Sequence, residues 1–187
     1  MQAMSSLPGV VDSNLPWAVL AILLGLVALV GPKAGASDVK FKEGVDYKRP
    51  MLTFELHAAQ APAIFDSWNE AKAQLRAALL WDYLFIFIYP AAIATSCFLA
   101  GRFFDSRGFI PFKVTLVVMC LQLLAAAFDA AENFALLKVI GGSMEGWPQV
   151  ARWCAILKFS LIILGTAYAV VGIIYWLFSG VKALAQR

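Results

Sequence analysis

The sequence predicts an all-α fold, an integral membrane helical bundle of about four transmembrane helices plus an amphipathic helix. Three observations carry this expectation. Hydrophobic residues make up 61% of the 187-residue chain and mean hydropathy is +0.76, whereas soluble domains are about 45–50% apolar. Only 14% of residues are charged, and they gather between apolar runs, as they do where membrane spans alternate with wet loops. Four of those runs reach the roughly 20 mostly apolar residues that a hydrocarbon layer demands.

The first run extends from Leu15 to Gly31 and is closed by Gly31-Pro32. The second extends from Ala77 to Ala100, closed by Gly101-Arg102, and the third from Val114 to Ile140, closed by Gly141-Gly142. The fourth extends from Ala151 to Phe178, closed by Ser179-Gly180. Glycine after the last apolar residue is a helix stop signal. Ala34-Gly35-Ala36 resembles a leader-cleavage site. Against a leader, residues 1–14 hold no Lys or Arg, and a leader wants a positive start. The expectation is therefore a retained first helix.

About 45 residues separate the first two runs, and Ser37–Pro50 is charged and of mixed sign, an irregular solvated connection. Beyond it, Ile64, Phe65, Trp68, Ala71, Leu75 and Leu79 recur at helical spacing, while Asp66, Glu70 and Lys72 fall largely on other faces. With Pro62 suited to a first helical turn, Pro62–Leu79 reads as an amphipathic helix. It either rests on the membrane surface or packs on the protein, and it runs into the second span. The chain thus divides into residues 1–50, a transmembrane helix and polar linker, and residues 51–187, an amphipathic helix and a three-span bundle.

Four spans put the 32–76 and 141–150 loops on one side, with nine Lys and Arg counting Lys138 and Arg152 at the helix ends; the other side has five, Arg102, Arg107, Lys113, Lys182 and Arg187. The positive-inside rule then favours an external N-terminus. The compact Arg102–Lys113 loop pulls the other way.

The spans carry polar residues. Asp82, Tyr89 and Ser96 lie seven apart in the second span, nearly on one face. In the third, Gln122 and Asp129 share a face, with Glu132 and Asn133 one turn further on, and the fourth carries Lys158. A rise of about 1.5 Å per residue brings Asp82, Asp129, Glu132 and Lys158 into one leaflet. An unpaired charge at the bilayer centre costs about 2.5–3.5 kcal/mol on insertion scales, so these groups are expected to face one another. Lys158 would offset one carboxylate, with Asn133 and Gln122 donating to others. Three acids against one base require a shared proton or a neutral carboxylate. Such a cluster serves proton or ion handling, a lipid headgroup pocket, or simply the fixing of helix orientation.

Small residues at spacing four, Ala127-Ala131-Ala135, Ala92-Ser96-Ala100 and Gly165-Ala169, predict close helix contacts. Trp17, Trp81, Trp147, Trp153 and Trp176 lie near span ends, as interface anchors do. Cys97, Cys120 and Cys154 form no CxxC pair and read as small buried hydrophobes. A single histidine, His57, outside the spans, excludes a bis-histidine haem supplied by this chain. No zinc, Walker, Rossmann, triad or c-haem motif is present, so no catalytic, cofactor-binding or metal residue is assigned. A dispersed net charge of +3 gives no reason to expect nucleic acid.

Several stretches carry a resemblance: Phe54-Glu55-Leu56, Ile64 to Trp68, Trp81-Asp82-Tyr83-Leu84-Phe85-Ile86 with Tyr89, Phe128-Asp129-Ala130-Ala131-Glu132-Asn133, and Ala151-Arg152-Trp153-Cys154 through Lys158-Phe159. Over about two thirds of its length the chain resembles a family of small uncharacterised bacterial polytopic membrane proteins. The resemblance implies a three-helix unit preceded by an amphipathic segment, to which the first span and the 32–50 linker look like an addition. It implies an inner (plasma) membrane location and no reaction. The expected function is a non-catalytic accessory subunit or assembly factor of a larger membrane complex, with lipids and other subunits or copies of itself as partners. The alternatives are a proton-coupled carrier or lipid-binding protein built on Asp82, Gln122, Asp129, Glu132, Asn133 and Lys158, and an intramembrane enzyme using Asp82, Asp129 or Glu132 as acid and base.

Overall fold

The computed structural model describes residues 14–35, 66 and 71–185, with side chains in the last helix described through Phe178. Among these residues the secondary structure is helical: α1 (Leu15–Ala34), α2 (Lys72–Ser106), α3 (Phe112–Ile140) and α4 (Trp147–Ala185). All four contain stretches long and apolar enough to cross a membrane. The chain is an integral membrane helical bundle. The amphipathic segment lies outside the described residues up to Ala71, apart from Asp66, which is helical. Its remainder, Lys72–Leu79, continues into the second span without a break. The division near residue 50 also lies outside the described residues.

Three helix ends differ from their expected places. The first helix includes Pro32 and ends at Gly35, whose backbone N–H donates to Gly31 at 2.8 Å. The second runs through Gly101 to Ser106. Gly101 is a packing residue rather than a stop, because a side chain there would overlap Thr115 of α3. The turn follows at Arg107 and Gly108, with Gly108 at φ +72°. Asp105 Oδ1 accepts a 3.1 Å hydrogen bond from the Phe112 N–H, which secures the start of α3. The last helix likewise passes Ser179-Gly180 and continues to Ala185. The third ends where expected, at Gly141, followed by Gly142 at φ +92°.

α2, α3 and α4 pack on one another, while α1 leans chiefly on α2. Within α1 only Leu20, Val30 and Ala34 are buried among its apolar residues. Its N-terminal end touches α4 through Trp17 and Trp176, ring centroids 6.1 Å apart. Two apolar clusters hold the three-helix unit. At the end where α3 turns into α4, Leu75, Ala78 and Leu79 meet Ala135, Leu136, Val139 and Ala151. Toward the opposite end, Cys97, Val118 and Ala169 meet Ile93, Met119 and Tyr168. Of the small-residue stripes, Ala92, Ala100, Ala135, Gly165 and Ala169 are buried. Ala127 and Ala131 instead face outward, a correction to the expected contact. The buried face of α3 passes through Ala125, Asp129, Glu132 and Leu136, because a spacing of four drifts around a helix of 3.6 residues per turn.

Cations stacked on aromatic rings mark both ends of the bundle. Lys33 lies 4.5 Å over Trp81 and Lys138 lies 5.3 Å over Phe134 at the α3–α4 turn end. Arg102 lies 5.9 Å over Phe98 and Arg107 lies 5.5 Å over Phe103 at the other. Aromatic rings and long cationic side chains hold such positions because their bodies are apolar and their tips wet.

Candidate functional site

Asp129 and Glu132 stand three residues apart on α3, so both turn toward α4. There Lys158 meets them: Nζ is 2.8 Å from Asp129 Oδ1 and 2.5 Å from Glu132 Oε2. All three residues are buried, none more than 8% exposed. Removing these charges from water costs several kcal/mol per ion, which a close pairing offsets. The Lys158 ammonium also lies 4.7 Å over the Phe159 ring.

Asp82 and Tyr89 approach the same place from α2. Seven residues apart, they present nearly one face, and both line a cleft of about 430 Å³ shared with Asp129, Glu132 and Lys158. Its remaining walls are apolar. Leu24, Val27, Gly31 and Ala34 come from α1, Phe85, Ala92 and Ile93 from α2, and Phe159 and Ile162 from α4. The cleft exists because α1 rests on α2 and scarcely touches α3 or α4. The Tyr89 hydroxyl is buried beside Asp129, with no other hydrogen-bond partner among the described residues.

The other two expected members of the cluster lie elsewhere. Gln122 is fully buried, but its Nε2 donates to the Leu161 carbonyl at 3.1 Å rather than to a carboxylate. It can reach that carbonyl because Gly165 lacks a side chain, which would overlap the amide. Asn133 is fully buried outside the cleft lining, and neither its Oδ1 nor its Nδ2 makes a hydrogen bond among the described residues. Sequence reasoning passed over the Thr115–Tyr168 hydrogen bond of 2.8 Å, although two hydroxyls in facing spans were its signal. It also passed over the α1 wall, which only the seating of that helix creates.

Among the described residues, no three His, Cys, Asp or Glu side chains gather closely enough to hold a metal ion. The cleft lining holds no His, Cys, Ser or Thr. What the arrangement offers is three carboxylates, one ammonium and one hydroxyl gathered along an apolar trough. No protein-family model matches the chain, and no curated protein or solved structure matches it either. The functional reading therefore rests on this geometry.

Proposed function

We propose that this protein is a non-catalytic binding protein of the bacterial inner membrane, and that the cleft beside α1 receives a membrane-dissolved amphiphile. The observation that carries this is the joining of Asp82, Tyr89, Asp129, Glu132 and Lys158 with an apolar trough in one cavity. Its volume of about 430 Å³ falls among small-molecule sites, which run about 300–1,000 Å³ and combine apolar walls with a few convergent polar groups. Ionisable residues within spans are otherwise rare, because each must be compensated.

Gly31→Leu tests this reading. Gly31 lines the cleft on the loosely attached α1, and a Cβ there meets only Phe85, at 3.5 Å. The added side chain fills the trough while leaving the three-helix unit untouched. Mass spectrometry of small molecules that co-purify in mild detergent should find a stoichiometric amphiphile on the wild type and its loss from the variant. Equal loading of both proteins, or none on either, would remove the proposal.

An accessory-subunit role is a second reading, and α4 supports it. From Ile173 to Phe178 every residue is exposed, although Trp17 touches Trp176 and Phe103 and Phe109 touch Tyr175, so much of this apolar stretch is left open to lipid or a second chain. A second chain recovered stoichiometrically in the same purification, and lost on placing Lys at Ile174, would favour that role.

A further inference from the structure

We infer that the amphiphile of this cleft is an anionic phospholipid of the leaflet at the α3–α4 turn, with one acyl chain in the trough and its phosphate at the mouth. The inference rests on the amphiphile-binding reading and adds the chemistry of the occupant.

Length identifies the chain. Along α2 the lining runs from Asp82 to Ile93, and along α1 it runs from Gly35 back to Leu24. At about 1.5 Å per residue each stretch covers about 16 Å. Half of a bilayer's hydrocarbon is about 15 Å, the depth that a chain of one leaflet occupies. Asp82 and Gly35 mark the outer end of the trough. Trp81, next to Asp82, lies under Lys33, next to Ala34, with the ammonium 4.5 Å from the ring. The trough therefore starts at the interface and stops near the midplane. Past Ile93 the bundle closes, where Cys97, Val118 and Ala169 meet. α1 leans chiefly on α2 and touches α4 near its other end, through Trp17 and Trp176. One chain of a lipid can enter from the side, between α1 and α4, while the second stays in the bilayer.

Charge identifies the head. Inside the trough Lys158 is held by Asp129 and Glu132, so an anionic head finds its cations at the mouth instead. Lys33 is exposed and adjoins Ala34 and Gly35 of the lining. Arg152 of α4 is partly exposed and stands two turns, about 10 Å, before Phe159 of the lining, on nearly the same face. These two cations come from the two helices that border the slot. The rest of that edge is basic as well. Lys72 and Arg76 open α2 and Lys138 closes α3, against Asp66 and Glu145 among the described residues outside the spans on that side. A phosphodiester puts one negative charge at the level of these cations and its chains below, which is the order of rim and trough. Basic positions beside spans attract anionic headgroups in this way. A choline head would bring a further ammonium into the rim, and an uncharged head would give the cations no counter-charge.

The test uses the full chain in dodecyl maltoside micelles with dioleoyl phosphatidylglycerol, dioleoyl phosphatidylcholine or dioleoylglycerol at equal mole fraction. The three share their chains and differ in having an anionic, zwitterionic or neutral head. Thermal unfolding is followed for the wild type, Gly31→Leu and the double variant Lys33→Gln/Arg152→Gln. Phosphatidylglycerol should raise the wild-type Tm more than either other lipid does, and Gly31→Leu should abolish the rise. A cation near an anionic surface is worth about fivefold in binding, so the double variant should bind phosphatidylglycerol roughly 25-fold more weakly. If phosphatidylcholine or dioleoylglycerol matches phosphatidylglycerol, the anionic head is refuted while amphiphile binding stands. If phosphatidylglycerol keeps its advantage on Gly31→Leu, the rim attracts lipid without the trough and the inference falls. It falls too if the double variant keeps the full preference. If no lipid shifts the wild type relative to Gly31→Leu, both readings fall. Should the double variant not fold, the three lipids compared on the wild type and Gly31→Leu still decide the case.

Discussion

The two halves of the bundle meet the same requirement, polar groups inside a membrane, in opposite ways. In the half toward the α2–α3 turn, helices close on missing side chains. A Cβ at Gly101 would overlap Thr115, one at Gly172 would overlap Ala100, and one at Gly165 would overlap Gln122. The polar groups there are neutral. Thr115 bonds Tyr168 at 2.8 Å, Gln122 bonds the Leu161 carbonyl at 3.1 Å, and the Cys97 thiol donates to the Gly165 carbonyl at 3.3 Å. In the other half, apolar packing of Leu75, Leu79 and Val139 holds the helices from behind, and the face toward α1 is left open and charged. Close approach through glycine satisfies neutral donors on backbone carbonyls and leaves no room. Charges must instead find charges, and the side chains that carry them keep the helices apart.

That contrast is broken or sharpened by substitution, with the largest effect expected in the charged half. Lys158→Met strands two buried carboxylates and should destabilise the protein by about 3–5 kcal/mol, the usual cost of removing one partner of a buried pair. Unfolding in mixed micelles measures it. Adding Asp129→Asn or Glu132→Gln should recover part of the loss, and the change that recovers more identifies the dominant partner. A thermally silent Lys158→Met would mean that the ammonium snorkels to the interface, and the charged half would lose its organising pair.

The glycine contacts come next. Gly101→Ala should cost about 1–3 kcal/mol by overpacking against Thr115. Gly25→Ala in α1, where nothing lies within 4 Å of the added carbon, should stay within about 0.5 kcal/mol of the wild type. Equal effects at the two positions would erase the distinction between a tight half and a loosely seated α1. Smallest of all, Tyr168→Phe removes one hydrogen bond and should cost about 0.6 kcal/mol, the average for such bonds between spans. A loss of several kcal/mol there would move the organising polar contact to the neutral half.

Much of this architecture was legible in the sequence, because length and hydropathy alone mark a span. The four apolar runs, and the continuation of Lys72–Leu79 into the second of them, needed no tertiary information. Helix ends were less legible. Gly101 and Gly141 both follow an apolar run, yet the first packs inside a helix and the second ends one. A glycine means either, until it is known whether a neighbour such as Thr115 presses on it. Spacing and leaflet depth brought Asp129, Glu132 and Lys158 together, since antiparallel helices fix both. Gln122 went elsewhere because Gly165 opened a carbonyl to it, a contact between two helices that neither helix's sequence announces. The cleft was not legible at all. It depends on α1 resting on α2 rather than filling the groove beside α4, and that is a matter of rigid-body placement.

The two cation–aromatic belts have a mechanical consequence. From Trp81 to Arg102, α2 spans about 32 Å, close to the roughly 30 Å of a bilayer's hydrocarbon. Neither belt can be drawn inward without taking a ring-backed cation out of water. The molecule therefore carries a fixed gauge, and a membrane of another thickness must stretch, thin or let the bundle lean, at a cost of a fraction of a kcal/mol for each ångström of mismatch.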